Sequence, residues 1–199
     1  MSRSATSSPV RDLALVATFA GVIAALSLVP ALYLFSPQLP VTLQTLGVML
    51  AGCVLGRWRG ASAALLYLAL GAVGLPVFAG GAGGLAAFAG PTGGFLIGFP
   101  VGAFVAGACV EASRRYRVPL GVIGSIVGGV LAVYAFGVPY LAWKASLPLS
   151  DALALMLPFL AGDALKAVLA ALIAHGVHTA FPELLFGQRA SRTVHPTSV

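Results

Sequence analysis

The chain has 199 residues, of which 59% are hydrophobic and only 8% charged, with a formal net charge of +6 and a mean hydropathy of +1.01. Soluble domains carry about 25% charged residues, so the polar surface is too small to cover a water-soluble globule, and an integral membrane protein is expected. No second block of polar composition exists, which excludes an attached soluble domain and leaves the basic residues as a topology signal rather than a nucleic-acid footprint.

A membrane-crossing helix needs about 20 mostly apolar residues. Six stretches approach this, at about 12–30, 41–56, 60–76, 93–112, 119–138 and 156–178. The first includes Leu13 to Val29, longer than the roughly 7–15 apolar residues of a secretory signal, and reads as a retained span. On it Ala17, Gly21 and Ala25 form one row of small residues, and Ala20 with Ala24 another. Small rows let helices approach closely in lipid, within the chain or against a partner subunit.

The second stretch opens with Thr42, Gln44 and Thr45. Gln44 is an uncharged donor and acceptor at the end of a span, placed either to face headgroups or to serve a polar site. RWRG (57–60) is expected to join it to the third span. Cys53 and Cys109 lie inside apolar runs, which fits packing better than a disulfide or a metal site.

Between the third and fourth spans runs GLPVFAGGAGGLAAFAGPTGGFLIGF (74–99), with nine glycines and no charge. Irregular backbone at membrane depth survives where it lines a cavity or is buried in protein. The loop is therefore expected to fold into the bundle, either lending backbone groups to a site or serving only helix packing, with Phe78 and Phe88 as apolar walls. It lacks the lysine of a phosphate-binding GxxxxGK[ST] loop, and a selectivity filter would require fourfold assembly.

Arg3 and Arg11 precede the first span, Arg57 and Arg59 follow the second, Arg114, Arg115 and Arg117 follow the fourth, and Arg189 and Arg192 follow the sixth. The opposite loops, 31–40, 77–92 and 139–150, carry only Lys144. Nine of eleven Lys/Arg on one face is the positive-inside pattern, placing both termini in the cytoplasm. The expectation is one membrane domain over residues 1–199, with polar tails at 1–11 and about 187–199.

The sixth stretch contains PFLAGDALKAVLAALIA (158–174), where Asp163 and Lys166 interrupt an apolar run. Pro158 suits a first helical turn, and at about 1.5 Å per residue the two charges lie roughly 8 and 12 Å along the helix from it. At i and i+3 they share a face. A mutual salt bridge would make the helix tolerable. Intramembrane ionisable groups are, however, functional candidates by default, and the pair would suit the floor of a cavity for a ligand with its own donors and acceptors. His175 and His178 near the end of this span read as interfacial residues at a helix C-terminus, since a metal would want more ligands. His195 lies in the polar tail. One intramembrane acid and no HExxH motif leave no enzymatic constellation.

Together PVTLQTLGVMLAG, GLPVFAGGAGG…GPTGGFLIGF and PFLAGDALKAVLA resemble the BioY family, the biotin-binding substrate (S) components of energy-coupling factor transporters, over about residues 12–178. The resemblance implies an all-α protein of six transmembrane helices in the cell (inner or plasma) membrane, with a vitamin site near the outer face and no ATPase activity of its own. It implies partnership with a transmembrane coupling protein and a pair of ABC-type ATPases that use ATP. The alternative is a solitary biotin transporter or facilitator, and homo-oligomerisation is left open. By position Asp163, Lys166 and Gln44 match family residues at the biotin site, and Gly80, Gly81, Gly83 and Gly84 match its GGxGG segment, beside Phe78. Some members have an Asn at the centre of that segment, where this chain has Ala82. The small rows Ala17, Gly21, Ala25 and Ala20, Ala24 resemble the surface offered to the coupling protein. No metal or cofactor is implied; the ligand is biotin.

Overall fold

A computed structural model describes residues 9–29, 42–113, 115–182 and 184. The expectations for loop 31–40, for Arg3, Arg114, Arg189, Arg192 and His195, and for most of the polar tails lie outside these residues. The described chain is all-helical, apart from a single antiparallel bridge between Phe78 and Ala82.

Helix α1 (Pro9–Ser27) packs on α2 (Gln44–Leu55) and α3 (Arg57–Ala72). RWRG is not the connector expected from sequence: it forms the first turn of α3. The corner is the single residue Gly56, at φ 81°, a left-handed conformation that glycine adopts without steric cost. After a loop containing the short α4 (Ala86–Ala89), helix α5 (Gly93–Glu111) runs through the middle of the bundle against α2, α3 and the following rod.

That rod spans Val118–Ala145 without interruption. It comprises α6 (Val118–Gly124), a π-helical stretch (Ser125–Ala132) and α7 (Val133–Ala145). The span therefore extends beyond its expected end near 138 and absorbs half of the anticipated 139–150 loop, stopping at the left-handed Ser146. Helix α8 (Leu149–Ala154) leads into α9 (Leu157–Ala180), which packs on α2, α6 and the π-helical stretch.

Two ion pairs lie at one end of the bundle. Arg57 Nε lies 2.7 Å from Glu111 Oε2 at the end of α5, and Arg59 Nη2 lies 2.8 Å from Asp12 Oδ1 at the start of α1. Arg59 Nη1 also donates to the Leu184 carbonyl beyond α9. Four of the helix ends that carry the basic clusters are thus drawn together. His178 is pulled in with them rather than facing the interface: its ring stacks on Tyr116 at 4.8 Å, and its Nε2 is 3.0 Å from the Cys53 carbonyl. His175 is exposed, and no group of three metal-ligating side chains occurs among the described residues.

The glycine-rich loop does fold into the bundle at the opposite end. Phe78 is 2% exposed and stands edge-on to Tyr67 and to Phe88, at 5.4 and 5.6 Å between ring centroids. Its ring fills the space that a β-carbon on Gly71 would occupy. Gly71→Val is expected to expel the ring and destabilise the protein by about 1–3 kcal/mol through overpacking, visible as a lowered thermal midpoint in detergent.

Candidate functional site

Phe78 also lines a cavity of about 280 Å³, close to the lower end of the range for small-molecule sites, about 300–1,000 Å³. The start of α2 supplies Thr42, Gln44 and Thr45, and the first turns of α5 supply Phe95, Leu96 and Phe99. Helix α7 supplies Tyr134, while Met156, Phe159, Asp163 and Lys166 come from the entry to α9 and its first turns. The loop closes over them with Phe78, Ala79, Ala82, Ala87, Gly90 and Thr92.

Four of the expected site residues therefore meet around one space: Asp163, Lys166, Gln44 and Phe78. The glycines 80, 81, 83 and 84 are not among its lining residues; Ala79 and Ala82 are. The glycines shape the loop behind that lining. Gly80, Gly81 and Gly84 have φ of 70°, 76° and 80°, and a β-carbon on Gly83 would run into the Leu75 carbonyl. Their backbone is engaged locally as well: the Gly81 N–H donates to the Phe78 carbonyl at 2.9 Å, and that of Gly84 to the Gly71 carbonyl at 2.7 Å.

Asp163 and Lys166 are buried, at 5% and 8% exposure. Lys166 Nζ donates to Asp163 Oδ1 at 3.0 Å and to Thr45 Oγ1 at 3.2 Å. An ammonium has three hydrogens, so one is left for a guest. Tyr134 Oη donates to Asp163 Oδ2 at 2.5 Å. Each carboxylate oxygen thus holds one intramolecular bond and keeps further acceptor capacity. The polar floor is electrically balanced, one anion against one cation, and every other lining group is neutral. Around it stand the aromatic rings of Phe78, Phe95, Phe99, Tyr134 and Phe159.

Gln44 is fixed from behind. Its Nε2 donates to the phenol oxygen of Tyr67 at 2.6 Å, and that oxygen lies 3.1 Å from both Ser27 Oγ and the Val77 carbonyl. Sequence reasoning missed Tyr134, the aromatic residues of α5, Phe159 and Met156. Tyr134 had a readable signal: a phenol within the apolar run VLAVYAFG needs a partner for its hydroxyl.

The small rows of α1 divide. Ala17, Gly21 and Ala25 are exposed, whereas Ala20 is buried and Ala24 half-buried against the core. Nothing lies within 4 Å of a β-carbon placed on Gly21.

Comparisons with known proteins agree with this architecture. Residues 1–183 match the BioY family. A protein of Rhizobium etli named biotin transporter BioY is 46% identical over 180 residues, covering 87% of this chain and 96% of that one. One of the same name from Rhodobacter capsulatus is 47% identical over 188 residues, covering 89% and 98%. A crystal structure described as the S-component for biotin from an ECF-type ABC transporter superposes with a TM-score of 0.80 at 30% identity, covering 90% of this chain and 95% of that one.

Proposed function

The chain belongs to the BioY family, and on that premise we propose that it binds biotin as the substrate component of a vitamin-uptake transporter. It is a multi-pass membrane protein whose activity is transport, not enzymatic catalysis. The observation that carries the reading is the buried Asp163–Lys166 pair turned into an otherwise neutral, aromatic-walled cavity. Biotin has two ureido N–H donors and one strong ureido acceptor, an apolar thioether ring and chain, and a carboxylate tail. Asp163 accepts a ureido N–H, the free hydrogen of Lys166 meets the ureido oxygen or the tail, and the aromatic rings take the rest.

Six spans are proposed, from α1, α2, α3, α5, the Val118–Ala145 rod and α9. Four are long and apolar enough to cross a membrane, and α2 and α3, with 12 and 16 residues, complete the set. The ion-paired end then faces the cytoplasm of a cell whose inner or plasma membrane holds the protein, and the cavity faces outward. Biotin is handed inward with a transmembrane coupling protein and a pair of ABC-type ATPases, for which the exposed row Ala17, Gly21, Ala25 offers close approach.

Titration of the purified protein with biotin in detergent tests the binding role. Saturable uptake of one biotin per protomer is the expected result; no binding up to millimolar biotin overturns it. Biotin accumulation in cells with and without the ATPase module then separates a dependent substrate component from a solitary transporter.

A further inference from the structure

Two groups hold the Asp163 carboxylate, and they differ in what they can fix. Lys166 lies three residues along the same helix and ends in a point charge on a flexible stem, so it can follow the carboxylate as it turns. Tyr134 comes from a different helix. Its ring is braced edge-on against Phe95, with centroids 5.9 Å apart and planes at 89°, and only its hydroxyl can rotate. Rotation of a carboxylate about its last torsion is otherwise soft and roughly two-fold.

The backbone beneath Tyr134 is unusual as well. The π-helical stretch Ser125–Ala132 ends just before it, and wide turns of this kind, frequent at functional sites, reset the direction in which the following side chains point. Here that direction is toward Asp163.

Resting on the biotin reading above, we propose that Tyr134 is a positioning residue for recognition: its phenol locks the Asp163 carboxylate so that its remaining lone pairs face the cavity in one fixed orientation. That geometry selects ligands that present an N–H donor there, as either side of a cyclic urea does, over ligands that present acceptors.

Tyr134→Phe, which keeps the ring and its packing, is expected to bind biotin roughly 10- to 100-fold more weakly, with a ligand-free thermal midpoint close to wild type. Desthiobiotin, which keeps the two ureido N–H groups and lacks the sulfur, should lose affinity by the same factor, because the defect lies at the carboxylate. Adding Tyr134→Phe to Asp163→Asn should weaken biotin binding no further, as for two residues acting through one contact. Unchanged biotin affinity in Tyr134→Phe overturns the proposal. So does a loss confined to biotin and spared for desthiobiotin, or one that adds fully to that of Asp163→Asn; either assigns Tyr134 to wall packing. A wild-type protein that fails to bind biotin overturns the ligand assignment along with this role, whereas wild-type binding with an indifferent variant overturns this role alone.

Discussion

Asp163→Asn should reduce biotin affinity by roughly 10²- to 10⁴-fold. The substitution keeps size and shape but replaces an oxygen that only accepts with an amide nitrogen that only donates. That nitrogen would face Lys166 Nζ or the Tyr134 hydroxyl, both donors to Asp163 in the wild type, or the ureido N–H of the proposed ligand. A charge-assisted hydrogen bond contributes about 1.5–3 kcal/mol and a buried donor left unpaired costs about 1–3 kcal/mol more, which at about 1.4 kcal/mol per decade gives the quoted range. Equilibrium titration with labelled biotin measures it. Affinity within threefold of wild type would remove Asp163 from the recognition scheme.

Lys166→Ala is expected to damage the protein before any ligand arrives. It strands a carboxylate that is 5% exposed, leaving Tyr134 as its donor, and breaking a buried pair by deleting one partner typically costs about 3–5 kcal/mol. The ligand-free thermal midpoint should fall clearly, and biotin binding should weaken with it. The double variant Asp163→Asn/Lys166→Ala separates the two effects. With no orphaned charge it should regain much of the lost stability, while binding stays poor because the acceptors are gone. A double variant no more stable than Lys166→Ala would show that the pair is not what holds this end of α9.

The same contrast explains what could be read from the chain alone. A charge in an apolar helix stands out because lipid offers it nothing, so Asp163 and Lys166 were visible at once, and the one-sided arginines were visible for the same reason. Which apolar residues face inward was not visible. Lipid tails are as apolar as a protein core, so the usual rule that large apolar side chains are buried loses its force. On α9, Leu165 is 60% exposed whereas Ala167 and Ala170 are fully buried. The cavity walls Phe95, Phe99 and Phe159 therefore looked no different from outward-facing rings such as Phe136, which is 43% exposed. The loop glycines were legible as a sign of irregular backbone near the site. Their composition could not tell lining residues from residues that bend the chain: Gly80, Gly81 and Gly84 have positive φ angles, and Ala79 and Ala82, not the glycines, are among the cavity's lining residues. The one-residue corner at Gly56 was hidden because RWRG looked polar enough to be a loop, while Arg57 and Arg59 are carried on helix by Glu111 and Asp12.

The phenol of Tyr67 owns a single hydrogen, and two takers stand equally near it. The Val77 carbonyl can only receive, whereas the Ser27 hydroxyl can give one of its own, so the wiring that satisfies every group sends the phenol's hydrogen to Val77 and fills its oxygen from Gln44 and Ser27. One atom then ties the tail of the first helix, the head of the second and the root of the glycine-rich cover. Displacing the tail of the first helix would therefore disturb hydrogen bonds that also hold the cover above the cavity.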